Sequence, residues 1–285
     1  MVESRKPDWL KIKLPHNKLS VQVNDIIHKH QLHTICTSGK CPNRGECWDC
    51  GTATFMICGD ICTRACKFCN VHTGKPLPLD TNEPENIANS VKLLQLKHVV
   101  LTSVDRDDLP DFGATHWVEV IKAVKHENPD TTMEVLIPDF QGRKNLIDLI
   151  LDAHPEDNSH NLDTVRRLSK SIRSRANYEV SLAVIKHIAD SGIVAKSGIM
   201  LGLGETRDEI LQTMDDLRNV NCSVITIGQY LRPSQSNIEV KEYVHPEIFE
   251  EYRIIGKEKG FTHVESAPLV RSSYHAEKHI IVVSD

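Results

Sequence analysis

The 285 residues offer little to a membrane or to nucleic acid. No uninterrupted apolar stretch approaches the roughly 20 residues that a bilayer-spanning helix needs. An excess of basic charge is missing too: 34 Lys and Arg stand against 39 Asp and Glu, a net of −5. That balance excludes the strong basic footprint on which general nucleic-acid affinity depends. The opening Met1-Val2-Glu3-Ser4-Arg5-Lys6-Pro7 has basic residues with no apolar run behind them, so no signal peptide is expected. Low-complexity tracts and internal repeats are also lacking. Hydrophobic residues at 40% and charged residues at 26% suit a packed core rather than a disordered chain. A soluble, cytoplasmic protein is expected.

Cysteine is what the chain does have. Of nine, eight lie between Cys36 and Cys69, and Cys222 stands alone. In a reducing compartment such density points to metal rather than to structural disulfides. Two sets of three can be drawn, Cys36-x4-Cys41-x5-Cys47 and Cys62-x3-Cys66-x2-Cys69. Each is one thiolate short of a closed four-ligand site, and a cubane iron–sulfur cluster is ordinarily held by four cysteines. A site with three protein ligands leaves one position free for chemistry. Zinc competes: Cys47-x2-Cys50 and Cys66-x2-Cys69, 15 residues apart, match a common zinc spacing. Zinc would leave Cys36, Cys41, Cys58 and Cys62 unexplained, and spacing alone does not decide between the metals.

Around this segment the chain falls into zones. Residues 1–35 form a Lys-rich arm, with Lys6, Lys11, Lys13 and Lys18 among Trp9, Leu10, Ile12 and Leu14. The plain expectation is a segment lying on the domain surface. From about 84 onward β-branched runs alternate with helical ones. Strands are predicted at His98–Ser103, Thr132–Ile137, Val194–Leu201, Val224–Gly228 and Thr262–Glu265. Helices are predicted near Glu85 and over Ala114–Glu127, Tyr178–Ala189 and Thr206–Asn219. In the last, Ile210, Leu211, Met214 and Leu217 share a face, and Thr206 with Glu209 forms a capping-box pattern. Alternating strands and helices over about 200 residues predict a parallel sheet closing as a full or partial β/α barrel.

Several motifs then carry a resemblance. Residues 51–71, Gly-Thr-Ala-Thr-Phe-Met-Ile-Cys-Gly-Asp-Ile-Cys-Thr-Arg-Ala-Cys-Lys-Phe-Cys-Asn-Val, resemble the signature of the lipoyl synthase family, within the radical S-adenosylmethionine (SAM) superfamily. Lys6-Pro7-Asp8-Trp9-Leu10-Lys11 is similar to the family's opening motif. His33 to Cys36 and Cys41-Pro42-Asn43-Arg44-Gly45-Glu46-Cys47-Trp48 resemble its second cysteine motif. Further similar stretches are Leu101–Leu109, Val135–Phe140, Lys196–Thr206, Thr226–Ser234 and Arg271-Ser272-Ser273-Tyr274-His275-Ala276. Two departures stand out: Cys58 replaces an aliphatic residue, and Pro155–Asn161 lacks an apolar pair before His160-Asn161.

The resemblance implies a partial barrel of radical SAM type with N-terminal cysteine-rich and C-terminal extensions. Its divisions would be residues 1–50, 51–260 and 261–285. Cys62, Cys66 and Cys69 would hold a four-iron four-sulfur cluster whose fourth iron takes SAM, the source of a 5′-deoxyadenosyl radical. Cys36, Cys41 and Cys47 would hold a second such cluster, consumed as the sulfur source, with a serine as fourth ligand. Ser273 is the first choice for that serine and Ser272 the second; without the resemblance both read as a polar turn. Thr102, Ser103 and Asp105, after a predicted strand, are candidates for the polar end of SAM, and Asn161 and Arg173 for SAM or substrate. The implied reaction inserts two sulfur atoms, at carbons 6 and 8, into an octanoyl chain on a lysine of a lipoyl-carrier domain. Such domains belong to the H protein or the acyltransferase subunits of 2-oxoacid dehydrogenases, and the electron donor would be a ferredoxin or flavodoxin. Lys11 and Lys13 are then candidate docking residues for an acidic carrier. Gly202-Leu203-Gly204-Glu205 reads as a plain turn before a helix, His187 as a helical residue, and Cys50, Cys58 and Cys222 as packed thiols. The rivals are a sulfur inserter like biotin synthase, a zinc-stapled binding module and an electron carrier.

Overall fold

The computed structural model describes residues 6–11, 25–27, 32–49 and 51–277. Its strands, in chain order, are β1 (His33–Thr34), β2 (Thr52–Ile57), β3 (Ile61–Cys62), β4 (His72–Thr73), β5 (His98–Ser103), β6 (Thr132–Leu136), β7 (Asp157–Ser159), β8 (Val194–Leu201), β9 (Val224–Gln229) and β10 (His263–Ser266). The helices are α1 (Ile35–Ser38), α2 (Arg44–Asp49), α3 (Glu83–Leu93), α4 (Ala114–Glu127), α5 (Lys144–Leu151), α6 (Arg166–Ile172), α7 (Tyr178–Asp190), α8 (Arg207–Asn219) and α9 (Pro246–Glu258). Eight strands form one sheet in the order β1-β2-β5-β6-β7-β8-β9-β10, while β3 and β4 pair apart from it. From β2 to β10 every neighbour is parallel; β1 alone runs antiparallel, against β2.

Helices between parallel strands cover the outer face, so both faces of each strand are buried. All six residues of β2 are buried, as are all six of β9. Helix α4 turns His116, Trp117, Val120, Ile121 and Val124 inward at helical spacing. The predicted capping box is made: Thr206 Oγ1 accepts from the Glu209 backbone N–H, and the Glu209 carboxylate accepts from that of Thr206. Glycines Gly202 and Gly204 take left-handed backbone before α8, with φ +92° and +105°.

Among the described residues no ladder joins β10 to β1 or β2, so the sheet is a partial barrel and the full closure weighed from sequence is not made. Differences from the sequence expectation are local. The strand predicted at Thr132–Ile137 ends at Leu136, the one at Val224–Gly228 extends to Gln229, and the one at Thr262–Glu265 runs His263–Ser266. Strands β2 and β7 and helices α5, α6 and α9 had no sequence assignment. Within the barrel Lys196 donates to Glu134 at 2.7 Å, and Ser159 donates to the same carboxylate at 2.9 Å. Cys58 and Cys222 are buried thiols, as expected. His187 lies on α7 beside Asp148, 2.5 Å away. Lys13, Lys18 and Cys50 lie outside the described residues. No helix among those described is long and apolar enough to cross a membrane.

Candidate active site

A cavity of about 490 Å³ opens along the inside and the C-terminal ends of the strands. Its wall includes Cys36, Cys41 and Cys47 as well as Cys62, Cys66 and Cys69, so both sequence triplets face one space. Thr102, Ser103, Asp105, Asn161, Arg173, Ser272 and Ser273 line it too. All the candidate site residues named from sequence are therefore brought together.

The loop bearing Cys62, Cys66 and Cys69 follows β2 and is held from several sides. Two backbone N–H groups, of Arg64 and Asp105, donate to the Cys62 sulfur at 3.4 and 3.3 Å. Thr63 donates to the Asp105 carbonyl at 2.9 Å, and the Ala65 N–H donates to Ser174 Oγ at 3.0 Å. Asn237 Nδ2 donates to the Cys69 carbonyl at 2.8 Å. At the centre of the loop Arg64 is buried. Its guanidinium bonds both oxygens of Asp107 at 2.7 and 2.8 Å and both of Asp139 at 2.9 and 3.0 Å. A carboxylate oxygen of Asp105 lies 3.3 Å away. These bidentate pairs tie the loop to the segments after β5 and β6.

The Cys36, Cys41 and Cys47 group spans α1 and α2. Thr34 caps α1, accepting from the Thr37 N–H, and the Cys41 N–H donates to the Cys36 carbonyl at 3.1 Å. Asn70 Nδ2 donates to the Ser38 carbonyl at 2.7 Å, linking this group to the first loop. The C-terminal segment crosses beside it. Asn43 Nδ2 donates to the Leu269 carbonyl at 2.6 Å, and the Tyr274 hydroxyl donates to Glu46 at 3.1 Å.

Electrostatics follow from enclosure. Burial pushes the thiols of Cys36 and Cys69 up to about 11 and that of Cys62 to about 12, and it raises Cys41, Cys47 and Cys66 as well. Within each triplet neighbouring sulfurs reinforce the rise. Such thiols stay protonated and inert unless a cation ionises them. An iron–sulfur group supplies that charge, and the two three-sulfur sets suit one each. Among the described residues no three His, Cys, Asp or Glu side chains are arranged to hold a single metal ion.

The remaining candidates have definite partners. Arg173 donates to Ser181 Oγ at 3.0 Å and meets Asp163 at 3.2 Å. His160 lies 2.9 Å from Ser181 Oγ and 2.9 Å from the Ile137 carbonyl, and burial, then the Arg173 charge, hold it down at about 4. It is therefore neutral, with Nδ1–H donating to the carbonyl and Nε2 accepting from Ser181. Burial raises Asp105 and Asp163 to about 6 despite Arg64 and Arg173 beside them. Thr102 donates to the Leu136 carbonyl at 3.2 Å, and Ser103 Oγ is buried with no hydrogen-bond partner among the described residues. Asn161 Nδ2 donates to Ser272 Oγ at 2.6 Å. Sequence reasoning missed Arg64, Asp107, Asp139, His160 and Ser181 as site residues. The signal it had was the CTRAC run itself, in which an arginine stands between two ligand-spaced cysteines.

Comparison with known proteins agrees with this geometry. Residues 56–217 match the model of the Radical SAM superfamily, a span that begins in β2 and ends in α8. Among solved structures, methylornithine synthase superposes with a TM-score of 0.57 at 12% identity, covering 75% of this chain and 70% of that one. The hydrogenase maturase HydG gives a TM-score of 0.58 at 13% identity, covering 92% and 74%. At such identities the likeness is one of fold. Fold, cysteine loop and family match together define a radical SAM enzyme, and with that class come a four-iron four-sulfur cluster and SAM. A lipoyl synthase of Treponema denticola is 73% identical over 277 residues, 97% of this chain and 96% of that protein. One of Parabacteroides distasonis is 64% identical over 276 residues, covering 97% and 98%. The chain belongs to the lipoyl synthase family.

Proposed function

We propose that this enzyme inserts sulfur at carbons 6 and 8 of an octanoyl chain borne on a lysine of a carrier domain. In this reading Cys62, Cys66 and Cys69 hold the superfamily's cluster, and Cys36, Cys41, Cys47 and Ser273 hold a second one that is the sulfur source. Cys62, Cys66 and Cys69 would hold the cluster at which SAM binds, and together these groups would supply the radical chemistry that opens the acyl C–H bonds. The observation that carries the reading is the opening of both cysteine triplets and the Ser272-Ser273 turn on one cavity. A flexible acyl arm entering that space would reach a radical source and a sulfur source without leaving it.

The chain's own part is to bind, orient and exclude water. Arg64 and its aspartates fix the first loop. Arg173, held by Asp163 and Ser181, and Thr102, Ser103 and Asp105 present polar groups from the strand ends for SAM or substrate. Serine is a harder, less well matched ligand for iron than thiolate, which suits a cluster that must come apart. The carrier domains would be those of the H protein or of 2-oxoacid dehydrogenase acyltransferases, with a ferredoxin or flavodoxin as reductant. An acidic carrier would dock on the arm through Lys11, exposed and 2.8 Å from Asp8, and Lys13.

Iron and acid-labile sulfide per chain, after anaerobic reconstitution, test the cluster content. About eight of each are expected, falling to about four in a Cys41→Ala variant. That variant should still cleave SAM but form no lipoyl group on an octanoylated carrier. Sulfur insertion that survives Cys41→Ala would remove the second cluster from the reaction. Charge reversal at Lys11 and Lys13 should weaken carrier turnover and spare SAM cleavage; unchanged turnover would end the docking role.

A further inference from the structure

Asn161 stands just beyond β7, and the backbone after it is locked to β8. Asp163 N–H donates to the Gly198 carbonyl and Met200 N–H to that of Asp163, each at 2.9 Å. Its carboxamide lies flush against the sheet. A methyl group on Gly198 would come within 2.9 Å of Asn161 Oδ1 and 2.6 Å of Thr226 Oγ1, so only glycine leaves room for this side chain. From that fixed base Nδ2 reaches Ser272 Oγ at 2.6 Å, across 111 residues of sequence.

Ser272 belongs to the segment that leaves β10 and crosses the cavity. Its entry is pinned by the Gln229 N–H on the Pro268 carbonyl at 3.1 Å and by Asn43 on Leu269. Its exit is pinned by Tyr274 on Glu46. Between these points the side-chain tie to the barrel, among the described residues, is the Asn161–Ser272 bond. The neighbouring Ser273 lines the same cavity and has no hydrogen bond among the described residues. One serine of the pair is thus committed to the barrel while the other is left to the cavity. With one N–H given to Ser272 and Oδ1 packed over Gly198, the carboxamide is directed at this segment.

We propose that Asn161 is a positioning residue for the second cluster: by fixing Ser272 it aims Ser273 at Cys36, Cys41 and Cys47, and so sets how easily that cluster comes apart. The inference rests on the function proposed above. It adds that the serine ligand is steered from the opposite side of the barrel, by a residue remote from the cysteines in sequence.

The test uses the full-length chain with Cys62, Cys66 and Cys69 replaced by alanine, so that only the second cluster contributes iron. A ferrous chelator should take iron about five-fold faster from Asn161→Ala and from Ser272→Ala, the worth of one hydrogen bond. The double variant should be no faster than either alone, because both remove the same bond. Ser272→Thr, which keeps an acceptor, should release iron near the unsubstituted rate. Ser272 is half-buried on a turn beside the cavity and outside the apolar core, so Ser272→Ala keeps the test alive if Asn161→Ala folds poorly. In the chain with all six cysteines, SAM affinity should move by less than about two-fold in Asn161→Ala. Unchanged iron release with weakened SAM binding would make Asn161 a SAM contact and overturn the proposal. Additive effects in the double variant would overturn it equally. If the triple-alanine chain takes up no iron at all, it is the second cluster that fails, a result separable from both.

Discussion

At the scale of the residue, Arg64 is the point where three carboxylates meet, and removing it should be felt twice. The side chains of Asp107 and Asp139 are as buried as that of Arg64 itself, 4% exposed against 5%. Burial alone would raise their carboxyls, but the Arg64 guanidinium overrides it and holds both below the usual range. Arg64→Ala would strand these charges, at about 3 kcal/mol or more of stability, and free the Cys62–Cys69 loop. Chemical denaturation and iron content read the two effects; a variant with normal stability and a full first cluster would show the arginine to be dispensable. His160 makes a prediction in pH. Held at about 4 against about 6.5 in an unfolded chain, it lacks a proton that the unfolded state carries between those values. Its share of stability is whole above pH 6.5 and falls as pH drops toward 4, by about 3 kcal/mol in all. The stability gap between the natural protein and His160→Gln should therefore shrink on acidification, and a gap constant from pH 7 to pH 4.5 would show that His160 takes up its proton as readily in the folded as in the unfolded chain.

At the scale of the element, β9 and the segment after β10 are fitted to each other through Gly228. A methyl group there would lie 2.1 Å from the Val270 carbonyl oxygen, a backbone atom that cannot turn aside. Gly228→Ala should lift residues 267–273 while leaving the Cys62–Cys69 loop in place, so iron should fall from about eight to about four per chain with SAM binding kept. Iron content unchanged by the substitution would mean that the second cysteine group does not depend on this segment. Such fits also mark how far the sequence could be read. Helices α4, α7 and α8 repeat apolar residues at helical spacing, and α8 carries its cap in Thr206 and Glu209, so their limits were legible to a residue or so. Strand β7 was not: Asp157-Asn158-Ser159 is a buried polar triplet in which, among the described residues, only Ser159 has a side-chain hydrogen bond, to Glu134 on β6. Strand β2 was hidden by the cysteine pattern around it. In the site, the six cysteines were legible because their spacing is local. The Arg64–Asp139 and Asn161–Ser272 bonds, 75 and 111 residues apart, leave no local trace.

At the scale of the molecule, the cysteine segment before the barrel and the strap behind it form one surface. Asn43 to Leu269 and Glu46 to Tyr274 tie them, and Lys40 on the Pro233 carbonyl ties the cysteine segment to the loop after β9. Removing iron should raise amide exchange over residues 36–49 and 267–277 together while β5 to β9 stay protected, because metal and ligand order are linked. Exchange that rose in only one of the two segments would show them to be independent. The same ties impose an order on biosynthesis. Cys36, Cys41 and Cys47 emerge early from the ribosome, yet Leu269, Ser272 and Tyr274, which complete their surroundings, are among the last described residues to be made. The Cys62–Cys69 loop, by contrast, has Asp105, Asp139 and Ser174 at hand when little more than half the chain exists. If the first three cysteines seat the second cluster proposed above, their surroundings are complete only once this late segment has been made, and the cluster would be loaded onto a barrel whose strands are already synthesised.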